Sequence, residues 1–134
     1  MTLSLVPIGM VHRADDRVWI DVSSEYADGL LGLDGFSHIH VIYWFHENDT
    51  PSQRAVLQVH PRKDPKNPLT GVFATHSPLR PNLVALSLCR VEKIAGTRIT
   101  VSGLDARDGS PVIDIKCYIP YDASRGDITV PWWV

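Results

Sequence analysis

Cysteine is scarce: Cys89 and Cys117 are the only two in 134 residues. Two thiols without the paired spacing of zinc ligands exclude a disulfide framework and a structural zinc site. Both lie in apolar stretches, where free thiols are expected to be buried. Excess charge of one sign is equally scarce. Thirteen basic and fifteen acidic residues leave a net charge of −2 at pH 7, so the overall basic footprint of a dedicated nucleic-acid binder is missing. Any RNA contact has to come from a local patch, and no DNA partner is expected. Long apolar runs are absent too; none approaches the ~18–20 residues that span a bilayer. The start, Met1-Thr-Leu-Ser-Leu-Val-Pro-Ile-Gly9, lacks the basic and apolar regions of a signal peptide. A soluble, cytoplasmic protein with no membrane partner is the expectation. Missing as well are a Gly-x-Gly-x-x-Gly fingerprint, a Gly-Lys-Ser/Thr phosphate loop and a Gly-x-Ser-x-Gly nucleophile elbow.

What is present is period-two alternation. Hydrophobic residues make up 44% and charged residues 21% of the chain, ordinary values for a single globular domain over residues 1–134. Apolar and β-branched residues dominate Leu3 to Val11, Val18 to Val22, His38 to Phe45, Val56 to His60, Val84 to Val91, Ile99 to Val101 and Val112 to Ile119. Each stretch is bounded by Gly, Pro, Asp or Asn, which punctuate strands. Ser23 to Leu33 reads as the one short helix. Without βα alternation, this pattern predicts an all-β, mainly antiparallel fold, a single small barrel of seven to eight strands. Residues 48–70 carry four prolines and the charged run His60-Pro-Arg-Lys-Asp-Pro-Lys66. Proline removes backbone donors, so apart from Val56 to His60 this segment reads as ordered loop.

Three constellations carry chemistry. His38 and His40 are two apart on a strand and share a face, but no third ligand stands at a diagnostic spacing, so no metal is assigned. Thr75, His76, Ser77, Arg80 and Asn82 sit in a loop held by Pro78 and Pro81. Such a loop either caps the sheet or lines a pocket. Asp105 and Asp108 stand together at the mouth expected of the barrel, and Asp108-Gly109 is a turn signal between two strands. Beyond it, Asp114 and Lys116 alternate on one strand face, either as a structural ion pair or as part of a site.

Two long motifs then resemble the TsaA-like (TrmO) family. The family pattern Gly-Val-Phe-Ala-Thr-Arg-Ser-Pro-x-Arg-Pro-Asn-Pro-Ile-Gly-Leu-Ser appears as Gly71-Val-Phe-Ala-Thr-His-Ser-Pro-Leu-Arg-Pro-Asn-Leu-Val-Ala-Leu-Ser87. The pattern Asp-Gly-Thr-Pro-Val-Leu-Asp-Ile-Lys-Pro-Tyr-x-Pro appears as Asp108-Gly-Ser-Pro-Val-Ile-Asp-Ile-Lys-Cys-Tyr-Ile-Pro120. Pro7-Ile-Gly9, Leu33 to His38, Trp44-Phe-His46 and Val59 to Arg62 follow the family in the same order. The resemblance implies a β-barrel methyltransferase working as a homodimer. It would bind S-adenosyl-L-methionine and methylate N6 of threonylcarbamoyladenosine beside the tRNA anticodon. It implies cofactor contacts at His46, Glu47, His76, Leu86, Asp105, Ala106, Arg107, Asp108, Gly109 and Ser110. Arg62, Lys63, Arg80 and Asn82 are the candidate RNA contacts, and Asp114 and Tyr118 the candidate catalytic groups by face and chemistry.

Departures from the pattern bear on the acceptor. His76 replaces an arginine, exchanging a fixed cationic fork for an imidazole ring. Leu83-Val-Ala85 replaces Pro-Ile-Gly, and the loop after the first strand shrinks to about Arg13 to Arg17. No extension beyond the barrel is expected. These differences keep open two alternatives, a methyltransferase for a small molecule and a non-catalytic S-adenosylmethionine-binding module. Trp132-Trp133 is expected to anchor in a core or an interface.

Overall fold

In a computed structural model, which describes residues 1–120 and 125–134, eight strands follow the expected alternation. They are β1 (Gly9–Ala14), β2 (Arg17–Val22), β3 (His38–Trp44), β4 (Gln58–Val59), β5 (Thr70–Gly71), β6 (Val84–Ala95), β7 (Arg98–Ser102) and β8 (Pro111–Cys117). Six of them close an antiparallel barrel in the order β1-β2-β7-β6-β3-β8. The remaining pair, β4 and β5, forms a separate two-stranded sheet. The expected barrel of seven to eight strands is therefore corrected to six, because the prolines of residues 48–70 divert two short strands out of the ring.

Closure removes the sheet edges that an open antiparallel sheet would expose. The seam between β1 and β8 is short, pairing only Gly9 with Val112 and Met10 with Pro111. It is extended by Ile8 N–H to the Val112 carbonyl at 2.8 Å and Val11 N–H to the Ser110 carbonyl at 2.9 Å. Gly9 is required there. A Cβ on it would collide with the backbone carbonyl of Asp21 and approach Val22 Cα at 3.0 Å. Alternate residues point inward, and Val11, Ile20, Ile39, Val41, Cys89, Ile99 and Val112 are fully buried in the core. Side chains of this size fill a small barrel, so its interior is packed rather than open.

Several boundaries moved. The first strand starts at Gly9, and Leu3, Leu5 and Val6 before it are exposed. Ser23 to Leu33 is not a regular helix but two 3-10 turns, Ser24–Leu30 and Leu33–Gly35. Gly29 and Gly32 weaken helix propagation there, and no side chain caps either turn. Among the described residues the only α-helical turn, α1 (Pro51–Arg54), lies in the segment read as loop. Thr50 caps it by accepting the Gln53 N–H, and Pro51 occupies the first turn. Of the two thiols, Cys89 is buried and Cys117 only half-buried. Trp132 is 78% exposed and so is not anchored in the chain's own core.

One irregularity matters for function. Opposite β8, the register of β3 shifts between Ile42 and Tyr43, so that Ile42 faces Asp114 while Tyr43 faces Val112. Ile113 is the extra residue of a bulge. Val112 points into the barrel, but beyond the bulge Asp114, Lys116 and Tyr118 join the outer face with Ile42, His40 and His38.

Candidate functional site

Four chain segments meet at one mouth of the barrel around an open cavity of about 1540 Å³. They are the turn after β3 (His46–Asn48), the start of β6, the loop 103–110 joining β7 to β8, and the loop 75–80. Lys63 reaches the same cavity from the proline-rich segment. Its floor is Tyr43 and Ala85, inward residues of β3 and β6, with Ser87 beside them.

Loop 103–110 is the best-anchored wall. Arg13, at the end of β1, donates through Nε to the Ala106 carbonyl at 3.1 Å and through Nη2 to the Leu104 carbonyl. Its backbone N–H donates to Asp108 Oδ1 at 2.8 Å. The guanidinium fork suits this task because it offers several donors in one plane. From below, Tyr43 donates its hydroxyl to the Asp105 carbonyl at 3.2 Å, with Ser87 Oγ at 3.4 Å. Burial pushes the Tyr43 phenol above its ordinary value of 10.0, the Ser87 hydrogen bond opposes this, and the Asp105 carboxylate adds to the rise. The phenol therefore serves as a neutral donor. Gly109 adopts φ +83°, and a Cβ there would lie 3.7 Å from His46 Nε2. Its N–H donates to the Val11 carbonyl, which ties the Asp108-Gly109 turn to β1.

Across the mouth, Arg107 Nε pairs with Glu47 Oε2 at 2.9 Å. The two side chains are 78% and 54% exposed, so solvent screens the pair and it adds little stability. It does join the β3 turn to loop 103–110. Loop 75–80 is rigid on its own account: Thr75 Oγ1 donates to the Val72 carbonyl, and Arg80 Nη1 donates to the Thr75 and Ser77 carbonyls.

His46, Glu47, His76, Leu86, Asp105, Ala106, Arg107, Asp108 and Ser110 thus all line one cavity, and Gly109 shapes it from behind. Lys63 and Arg80 line it as well, whereas Arg62 and Asn82 do not. Asp114 and Tyr118 are not brought to the cavity, because the bulge at Ile113 turns them to the outer face. There Asp114 stands 4.0 Å from Lys116 Nζ in an exposed pair, so this strand face is not the buried one expected for a site. Tyr118 lies edge-on to His38 and His40, with ring centroids 6.3 and 5.5 Å away. Among the described residues, no three potential ligands cluster around those histidines or elsewhere. Sequence reasoning missed Arg13, Tyr43, Phe45, Asn48 and Ser87. Tyr43 carries the only available signal, a phenol at an inward position of an otherwise apolar alternation.

The lining fits S-adenosylmethionine. Asp105 and Asp108 supply negative charge for a sulfonium and an ammonium group, Glu47 being paired with Arg107. The Tyr43–Phe45 pair, with centroids 5.8 Å apart at 73°, supplies an aromatic wall for a purine.

Comparison with known proteins agrees with this geometry. Residues 3–123 match the family described as the tRNA-methyltransferase O N-terminal domain. A probable S-adenosyl-L-methionine-binding protein of Pyrococcus horikoshii is 46% identical over 114 residues, covering 85% of this chain and 81% of that one. The tRNA (adenine(37)-N6)-methyltransferase of Mus musculus is 44% identical over 114 residues, covering 84% of this chain but 26% of its own length. A solved crystal structure of TrmO superposes with a TM-score of 0.74 at 30% identity, covering 97% of this chain and 64% of that one. The chain thus spans about a quarter of the mouse enzyme and under two thirds of the solved TrmO. It belongs to the tRNA-methyltransferase O N-terminal domain family.

Proposed function

We propose that this chain is an S-adenosylmethionine-dependent methyltransferase that acts on N6 of a threonylcarbamoyl-modified adenosine in the tRNA anticodon loop. The observation that carries the reading is the single cavity where the Arg13-anchored acidic loop meets His46 and Glu47, in a member of this family. Asp105 and Asp108 would face the cationic end of the cofactor. Phe45, packed edge-on against the buried Tyr43, would stand beside its adenine. The cofactor, when bound, supplies a methyl group already activated on sulfur. What remains for the protein is to align the exocyclic nitrogen and exclude water around it. No strong general base is required, and Asp114 and Tyr118 are too far round the barrel to act as one. As the N6–CH3 bond forms and the S–CH3 bond breaks to leave a neutral thioether, the proton of N6 would be lost to solvent through the open mouth.

The cavity exceeds the ~300–1,000 Å³ of ordinary small-molecule sites, which leaves room for cofactor and nucleoside together. Outside it, Arg62 and Lys66 carry no ion pair to any described residue and suit the RNA backbone. The chain would act in the cytoplasm as one domain and as a homodimer. Support for the dimer comes from the exposed row Val84, Leu86 and Leu88 on β6 and from Ile128, Val130, Trp132 and Val134 near the C-terminus. The test is incubation with S-adenosylmethionine and threonylcarbamoylated tRNA, followed by mass spectrometry of the nucleosides. The modified adenosine should gain one methyl group. A tRNA left unchanged by protein that binds the cofactor would refute the acceptor.

A further inference from the structure

Four lysine and arginine side chains line the cavity, and three of them are already engaged. Arg13 is spent on the Leu104 and Ala106 carbonyls, Arg80 on the Thr75 and Ser77 carbonyls, and Arg107 on Glu47. Lys63 has neither a hydrogen bond nor an ion pair from its ammonium to any described residue. A cation left over in a cavity where every other one is bonded is available to a ligand.

The backbone around Lys63 is unusual. Arg62 and Lys63 are consecutive non-glycine residues with left-handed φ values of 59° and 56°. Such conformations cost energy and persist only where the surroundings impose them. Here two buried posts do so. Pro61 is buried, and Asn67, 8% exposed, donates from Nδ2 to the Pro61 carbonyl at 2.9 Å. His60 Nδ1 meets the Asn67 carbonyl at 2.8 Å, and the N–H groups of Lys63 and Asp64 donate back to His60 and Pro61. The clamp sends Lys63 to the cavity wall while Arg62 stays outside it.

We propose that Lys63 is a specificity-determining residue whose ammonium binds the carboxylate of the amino-acid arm on the acceptor nucleoside. The proposal rests on the acceptor reading above and adds how that acceptor is told apart. Lys63 comes from a different unit than the 103–110 loop and the His46–Asn48 turn, which are bonded to each other and assigned to the cofactor. Phosphates follow every tRNA whatever its modification, and Arg62 and Lys66 on the outer surface suit them. The arm's carboxylate is the anion that enters the cavity with the base. An ammonium with three rotatable donors can take it without the planar geometry that a guanidinium demands.

The experiment compares kcat/KM on two tRNAs, one carrying the threonyl carboxylate and one in which that carboxylate is converted to a neutral amide. The unaltered protein should favour the carboxylate about tenfold, the factor expected for one charge-assisted contact. Lys63→Met should abolish that preference by lowering the carboxylate rate alone, and Lys63→Arg should keep most of it. Affinity for S-adenosylmethionine should stay within about twofold, well below the tenfold assigned to the contact. Lys63→Gly separates structure from recognition. Glycine accepts the left-handed backbone, so Tm should rise while the preference disappears. A preference unchanged in Lys63→Met overturns the proposal. So does a loss of cofactor affinity, which would assign Lys63 to the cofactor. An equal fall on both tRNAs with a shallower salt dependence would assign it to phosphate and overturn it as well. If the unaltered protein turns over neither tRNA, the acceptor reading fails and this proposal falls with it.

Discussion

Replacing Arg13 by alanine tests whether the cavity depends on long-range stitching. Arg13 reaches across more than ninety residues of sequence to hold the Leu104 and Ala106 carbonyls. Hydrogen bonds from charged donors contribute roughly 1.5–3 kcal/mol each. Water can partly replace these, so each falls to about 1 kcal/mol, and the pair should cost about 2 kcal/mol of stability on truncation. For a chain of this size that corresponds to a fall in Tm of roughly 5–10 °C. The backbone N–H to Asp108 survives the substitution, so the turn at Gly109 should persist. Residues 104–107 would loosen, and cofactor binding would have to reorder them. The dissociation constant for S-adenosylmethionine should therefore rise about tenfold, equivalent to ~1.4 kcal/mol. Thermal denaturation and calorimetric titration on the same preparation read both effects. Arg13→Lys keeps the charge without the fork and should recover only part of either. A normal fall in Tm with unchanged cofactor affinity would refute the link between the stitch and the site.

Other expectations follow from the same geometry. Gly9→Ala would press a Cβ into the Asp21 carbonyl at the short barrel seam, and should cost about 2–3 kcal/mol by overpacking, read from urea unfolding; a cost near zero would mean the seam yields. Tyr43→Phe removes the donor to the Asp105 carbonyl, so it should lose roughly 1 kcal/mol of stability and weaken cofactor binding a few-fold in titration calorimetry. Burial pushes the Cys89 thiol from 9.0 up to about 11. The folded state thus keeps a proton that the unfolded chain releases, so this stability is complete below pH 9 and is lost as pH rises to about 11. The loss should reach about 2–3 kcal/mol and be missing from the pH profile of Cys89→Ala; parallel profiles would contradict it. Native protein at pH 8 should expose one rapidly reacting thiol, the half-buried Cys117, and show two only after denaturation.

The barrel strands were legible because a small closed sheet forces strict alternation between a filled interior and a wet exterior. Val18-Trp-Ile-Asp-Val22 and His38-Ile-His-Val-Ile-Tyr-Trp44 alternate residue by residue. The same signal over-extended the first strand, since Leu3 and Leu5 alternate as well while lying on the surface. Thr50-Pro51 is a readable helix start, but the prolines around it pointed to loop. The cavity was legible at Asp105 to Ser110 and at His46 and Glu47 through the family motifs. It was not legible at Arg13, whose partners are 91 and 93 residues away with no local pattern to announce them. Nor does anything near Ile113 mark the bulge, which comes from the facing register of β3. A one-residue slip exchanges the two faces of a strand. That slip is why Asp114 and Tyr118 were read as site residues and stand outside.

The central claim is that the mouth bounded by Asp105 to Ser110, His46 and Tyr43 holds S-adenosylmethionine. Titration calorimetry of the unaltered protein with that cofactor tests it most directly. The account predicts saturable binding with one site per chain, weakened about tenfold by Arg13→Ala. Folded protein that gives no binding at millimolar cofactor, or binds it equally well without Arg13, would contradict it.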